Sequence, residues 1–200
     1  AFLKSLDPRQ LYAGWAEMLK HGLIQSRRHF TRLVMSYPEQ LPSGEMAHLI
    51  RDSVDIKNFF VTSDPYEKGL RKALNLGHTI GHALESLALE RGESLLHGEA
   101  VAYGLLCEYG LSVHRLEADS TIYRQLVDYI DRSYQPFRVT PEDWPLLKRY
   151  LLQDKKNINS RINFTLLQDV GQPLIDQYVE WDEIEVVLNE VFSQPRNRVE

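Results

Sequence analysis

Apolar positions along this 200-residue chain recur mostly every three or four residues, the period of an α-helix that buries one face. In SLDPRQLYAGWAEMLKHGLI, Leu11, Trp15, Met18, Leu19 and Leu23 keep that spacing, and Asp7 and Pro8 supply a cap and a first turn. A second helix is predicted from about Ser26 to Tyr37, stopping before Pro38, and a third from about Ser43 to Thr62. Asp64 and Pro65 then punctuate the chain, and one long helix is predicted from Tyr66 to Glu90. After the loop RGES, helices are predicted from His97 to Leu116 and from Ser120 to Ser133. Thr140 and Pro141 open another that runs to Gln153. RINFTLL alternates as a half-buried strand does, with DVGQPLIDQYV as its hairpin partner. WDEIEVVLNEVFSQ closes as a helix before a frayed tail, PRNRVE. The expected fold is mainly α: a single helical bundle domain over residues 1–200 with at most one small β-hairpin. There is no strand–helix alternation and no G-x-G-x-x-G, so these residues are not expected to form a dinucleotide-binding fold.

Composition narrows the function classes. With 43% hydrophobic and 26% charged residues, the chain has ordinary globular composition. A formal net charge of -5 predicts no broad basic face, so nucleic acid is not an expected partner. An anionic ligand would need a local cluster of Lys, Arg and His. The single cysteine, Cys107, sits in AVAYGLLCEYGL and reads as a small buried hydrophobe, which points to a reducing compartment, the cytoplasm. No apolar run is long enough to suggest a membrane partner, and AFLKSLDPRQ has no secretory pattern. Those first residues read as the interior of a longer chain.

One segment departs from ordinary helix composition. LRKALNLGHTIGHALESLALERGESLLHGEA carries three of the seven histidines, His78, His82 and His97. On one continuous helix, Arg71, Asn75, His78 and His82 would fall within an arc of roughly 60°. Leu76, Ile80, Ala83, Leu84 and Leu87 would form the buried stripe opposite. Solvated helix faces are usually Glu and Lys; Asn and His are weaker helix formers, and Gly77 and Gly81 each cost about 1 kcal/mol relative to Ala. Glycines beside such a stripe suggest the close approach of another helix or a ligand. A segment that accepts this at several positions is a candidate site. Two His at i, i+4 can share a metal, but Thr79 stands where a zinc protease needs its glutamate. His97 offers a third nitrogen if the next helix folds back. The residues leave open three His or two His with a carboxylate. Glu85, Glu93 and Glu99 are available acids, each read by default as a surface carboxylate. Glu17, with Lys20 one turn on, is the other candidate, or simply the edge of an amphipathic helix. Lys57 and the DKKN lysines add positive charge.

These segments together resemble the 3-dehydroquinate synthase family. LNLGHTIGHALE and LLHGEAVAYGL are similar to its metal-site segments, FLKSLDPRQLYAGWAEMLKHGLI to the stretch bearing its glutamate ligand, and DKKNINSRINFTLLQDVGQP to its late lysine loop. The resemblance covers nearly the whole chain and corresponds to that family's C-terminal helical domain. It implies that Glu17, His78 and His97 bind a zinc or cobalt ion, whereas His82 faces substrate phosphate. It implies a pocket of Lys20, Lys57, Arg71, Asn75 and His82, joined by Lys155 or Lys156, with Lys156 favoured. The implied catalytic residues are His82, Lys20, Arg71 and Asn75. The implied reaction converts 3-deoxy-D-arabino-heptulosonate 7-phosphate to 3-dehydroquinate and phosphate. NAD would be held mainly by a further N-terminal domain outside these residues. The 200 residues alone would then be inactive, and the full-length protein a homodimer. Three alternatives remain at this point: another sugar-phosphate cyclase; a related metal-dependent alcohol dehydrogenase, a group that usually has Asp where Glu17 sits; and a non-catalytic helical interaction module.

Overall fold

The computed structural model describes residues 5–153 and 161–193. Lys155, Lys156 and the predicted tail PRNRVE lie outside the described residues. Eight α-helices and one hairpin are seen among those described: α1 (Pro8–Gln25), α2 (Arg27–Val34), α3 (Ser43–Ser63), α4 (His78–Arg91), α5 (His97–Leu116), α6 (Ser120–Ser133), α7 (Trp144–Leu152), β1 (Ile162–Asp169), β2 (Gln172–Val179) and α8 (Trp181–Phe192). The mainly α prediction with one small hairpin holds. No described helix is long and apolar enough to cross a membrane.

The helix α5 is the axis of the fold. Every residue from Gly98 to Ser112 is buried, Cys107 among them. Helices α1, α4, α6 and α8 and strand β1 all pack on it. Two of its glycines allow unusually close approach. A Cβ on Gly98 would lie 2.0 Å from the Ala13 carbonyl oxygen, and one on Gly104 would lie 1.9 Å from that of Gly77. Only glycine fits at either point, so α1 and the start of α4 are drawn against the same end of α5. The core stripe expected on α4 is buried throughout: Ile80, Ala83, Leu84 and Leu87, with Leu76 just ahead of it.

The hairpin is antiparallel and pairs Ile162 with Val179 and Asp169 with Gln172, shifting register between Phe164 and Leu166 and again between Leu167 and Asp169. Its turn uses Gly171 at φ +84°, and the Gly171 N–H donates to the Leu23 carbonyl at 2.8 Å, fastening the hairpin to α1. The helix expected from Pro141 opens instead as a 3₁₀ turn, Pro141–Asp143, in which the Asp143 carboxylate takes the Thr140 N–H at 2.7 Å.

One predicted element is wrong. The long helix from Tyr66 to Glu90 does not form: a loop and a 3₁₀ segment, Leu70–Asn75, precede α4. The Asp64 carboxylate folds the chain back on itself by accepting the N–H groups of Lys68, Gly69 and Arg71 at 3.0, 2.7 and 3.2 Å. Those bonds, led by that from Gly69, hold the Asp64 carboxyl below its ordinary range. Gly77 then adopts φ +80°, which ends any helical continuity. Arg71 and Asn75 therefore do not share a helix face with His78 and His82, and Gly77 lies ahead of α4 rather than within it. Both glycines still let α5 come close: a Cβ on Gly77 would lie 2.8 Å from Leu105 Cδ2, and one on Gly81 3.3 Å from the Ala100 carbonyl oxygen.

Candidate metal centre

Because Gly98 and Gly104 bring α1 and α4 onto the start of α5, three distant side chains meet. The Glu17 Oε1 atom lies 3.4 Å from His78 Nε2 and 3.6 Å from His97 Nε2. The three groups can present ligand atoms that all lie within 4.8 Å of one another. A tetrahedral ion with bonds of ~2.1 Å spaces its donors about 3.4 Å apart, so the set is close to the size such an ion requires. Glu17 Oε1 is also buried and accepts no hydrogen bond. An orphaned carboxylate oxygen facing two imidazole nitrogens is costly unless something positive binds there.

The other nitrogen of each imidazole is already held. His78 Nδ1 lies 3.1 Å from the Leu76 carbonyl oxygen, which can only accept, so Nδ1 carries the proton. His97 Nδ1 lies 3.1 Å from Glu85 Oε2, which sets the same tautomer. Both Nε2 lone pairs are thereby left for an ion, the arrangement expected of histidine ligands with acceptors behind them. His82, Glu85 and His97 also lie within ligand distance of one another, but Glu85 sits on His97 Nδ1, where it orients the ring. One carboxylate and two neutral imidazoles suit zinc or cobalt, with coordination positions to spare.

Lys20, only 3% exposed, donates to Glu17 Oε2 at 2.7 Å. Burial works against the Glu17 carboxylate, while the Lys20 ammonium opposes it through its charge and hydrogen bond, and the carboxyl is held below the usual range. Burial likewise pushes the Lys20 ammonium down, partly restored by Glu17. Next to Lys20, His21 Nδ1 lies 2.6 Å from Ser53 Oγ, and burial, reinforced by the Lys20 charge, pushes its imidazole down to about 3.

The expected pocket residues do converge, by a route other than a single helical stripe. Glu17, Lys20, His21, Lys57, Arg71, Asn75, His78 and His97 line one cleft of about 470 Å³. His82 lines an adjoining cleft with Asn75, His78 and residues of the hairpin. Arg71 donates from Nη1 to the Pro65 carbonyl at 3.0 Å, and Asn75 donates to Glu67 Oε1 at 3.0 Å, so the 3₁₀ segment and its loop are braced by the same side chains that reach the cleft.

Two acids are buried where the sequence pattern does not place them. Glu99 is not a surface carboxylate: it is 4% exposed, receives Arg9 Nε and Nη2 at 2.5 and 2.6 Å, and caps the Leu96 N–H at 2.8 Å. Glu108 is fully buried on α5 and takes the N–H groups of Gly77 at 2.6 Å and Ile80 at 3.1 Å. Burial pushes its carboxyl up to about 8. A lone acid inside AVAYGLLCEYGL was the available signal, since such a group is buried only with partners.

The family model described as 3-dehydroquinate synthase C-terminal matches residues 14–157. The chain belongs to the 3-dehydroquinate synthase family. A 3-dehydroquinate synthase of Parabacteroides distasonis is 39% identical over 183 residues, covering 92% of this chain and 52% of its own length. One from Leptospira interrogans is 35% identical over 184 residues, 91% and 50% respectively. The chain thus spans about half the length of the curated relatives it matches. Among solved structures, ValA, a 2-epi-5-epi-valiolone synthase from Streptomyces hygroscopicus subsp. jinggangensis with NAD+ and Zn2+ bound, superposes with a TM-score of 0.78 at 25% identity, covering 95% of this chain and 53% of that one. A 2-deoxy-scyllo-inosose synthase complexed with carbaglucose-6-phosphate, NAD+ and Co2+ superposes with a TM-score of 0.73 at 25% identity, covering 93% and 53%.

Proposed function

We propose that this chain is the metal- and substrate-binding half of a 3-dehydroquinate synthase, acting on 3-deoxy-D-arabino-heptulosonate 7-phosphate with NAD supplied by a further domain. The observation that carries the reading is the orphaned Glu17 Oε1 facing two oriented imidazole nitrogens beside a cleft lined by Lys20, Lys57 and Arg71. Glu17, His78 and His97 would hold the ion, zinc or cobalt as in the related cyclases. Such an ion, when bound, polarises a coordinated alcohol oxygen and eases its deprotonation.

The remaining side chains have distinct tasks. Lys20 keeps Glu17 ionised and in place through their 2.7 Å ion pair. Lys57 and Arg71 present fixed positive charge to the substrate's carboxylate and phosphate, where charge-assisted bonds are strongest. The amide of Asn75, already turned inward by Glu67, can hold a substrate hydroxyl. His82 is exposed at the rim with its ring 5.4 Å from that of His78, and in this reading it faces the substrate phosphate and shuttles a proton. One of Lys155 and Lys156 completes this set in the reading. The full-length protein would be a cytoplasmic homodimer.

A second reading, another sugar-phosphate cyclase, is favoured by the structural likeness to the valiolone and scyllo-inosose synthases. Relatives named 3-dehydroquinate synthase are more similar in sequence, at 39% against 25% identity. Substrate profiling with the NAD-binding half supplied separates the two readings. The ion is tested on the 200 residues themselves. Zinc at about a hundredfold over its Kd should stabilise the chain by about 2.7 kcal/mol in urea melts, and His78→Ala should abolish the gain. Zinc-independent stability in the wild-type chain would overturn the metal assignment. Turnover of the heptulosonate by these 200 residues with NAD+ and zinc would overturn the division of labour.

A further inference from the structure

The helix α4 begins at His78 with no capping side chain of its own and no acid in its first turn. Its leading amide groups, which have no partner within the helix, are served instead by Glu108, which reaches across from α5 to Gly77 and Ile80, the residues flanking His78 and Thr79. The contact with Gly77 has a particular consequence. The Gly77 N–H and the Leu76 C=O belong to the same peptide group. That carbonyl is the acceptor for His78 Nδ1. A continuous chain therefore runs from Glu108 Oε2 to the Gly77 N–H at 2.6 Å, through one rigid peptide plane, and from the Leu76 carbonyl to His78 Nδ1 at 3.1 Å.

We propose that Glu108 is a positioning residue for the metal centre, acting on His78 through the Leu76–Gly77 peptide. This rests on the reading of Glu17, His78 and His97 as ligands and deepens it. The relay acts in two ways. Its geometry fixes the peptide plane, so the carbonyl that aims the His78 ring cannot rotate. Its polarity strengthens the acceptor: an amide whose N–H is taken by a carboxyl oxygen has a more electron-rich carbonyl, which draws on Nδ1–H and makes Nε2 a better donor to a cation. Close packing supports the same arrangement, because Gly104 of α5 sits directly against the Gly77 carbonyl. The path is entirely buried at Glu108 and Gly77, where water does not compete for these bonds.

The test uses the 200-residue chain loaded with Co2+, whose visible d–d absorption reports ligand geometry and donor strength. Zn2+ affinity is measured in parallel by competition with a chromophoric chelator, folding by circular dichroism, and amide exchange at Gly77 and Ile80 by NMR. Glu108→Ala should lower Zn2+ affinity by about tenfold or more, move the Co2+ band and deprotect both amides. Glu108→Gln keeps an oxygen for the Gly77 N–H but turns an NH2 group toward the Ile80 N–H, so it should restore most of the affinity and the Gly77 protection while Ile80 stays deprotected. If the alanine variant does not fold, the glutamine variant carries the test: affinity that follows Gly77 protection supports the relay. Wild-type spectra and affinity in both variants, or affinity lost with Gly77 still protected, would overturn the relay. Failure of the wild-type chain to bind Co2+, or full binding by His78→Ala, would remove the metal centre itself, and is seen before any change at Glu108.

Discussion

Acidification from pH 7 to pH 5 should reveal His21 as a group locked neutral by the fold. Burial and the adjacent Lys20 hold its imidazole down to about 3, whereas an unfolded histidine titrates near ~6.5. Between those values the unfolded chain binds a proton that the folded chain refuses. Stability is therefore complete above the unfolded value and falls as pH drops through it, the loss levelling off near the folded value. At pH 5 this single group costs about 2 kcal/mol, from RT ln(1 + 10^1.5). His29, also pushed down by burial, adds to the fall in the same range, while Glu108, pushed up to about 8, works the other way and does so equally in wild type and variant. The carboxylates held low, Glu17 and Asp143 among them, contribute only below about pH 4. The measurement is urea unfolding of wild type and His21→Asn at both pH values, with chelator present because metal binding is itself pH-dependent. The variant should start less stable, by about 1–3 kcal/mol, since it disturbs the buried contact with Ser53. What decides the matter is the slope: wild type should lose about 2 kcal/mol more than the variant on acidification. Equal losses, within about 0.5 kcal/mol, would refute the claim that His21 stays neutral in the fold.

Two further outcomes follow from the packing on α5. Gly104→Ala would place a methyl 1.9 Å from the Gly77 carbonyl oxygen, so it should cost about 3 kcal/mol or more in thermal or urea unfolding and weaken zinc binding at the same time, because the start of α4 must move. An alanine variant as stable as wild type would contradict this helix contact. Arg9→Ala leaves Glu99 buried without its bidentate partner; allowing for the 39% exposure of the arginine side chain, the loss should be about 1–3 kcal/mol. Adding Glu99→Gln should recover part of it, which a double-mutant cycle would measure.

The helices α5 and α6 begin and end where hydrophobic periodicity places them, and β1 and β2 follow from alternation and a glycine turn. Those features are local: each is set by residues within a few positions of one another. The candidate ligands Glu17, His78 and His97 were legible for a different reason, the likeness of the segments around them to a known family. The stripe Arg71–Asn75–His78–His82 does not form, and periodicity alone cannot register a break made from outside the segment. Here Asp64 takes three backbone amides and Gly77 turns left-handed. The site residues still converge, because the 3₁₀ segment and α4 line the same cleft from two directions.

Sequence alone determined where most of the helices and the hairpin run, since short-range periodicity carries that information, and it offered Glu17, His78 and His97 as candidate ligands only through their likeness to a family's segments. Tertiary structure decided that Glu17 Oε1 is orphaned between two imidazoles, that Arg9 seals Glu99 across 90 residues, and that Glu108 grips Gly77 across 31. Those facts depend on how closely α1 and α4 approach α5, and that distance is set by glycines meeting backbone carbonyls far away in the chain.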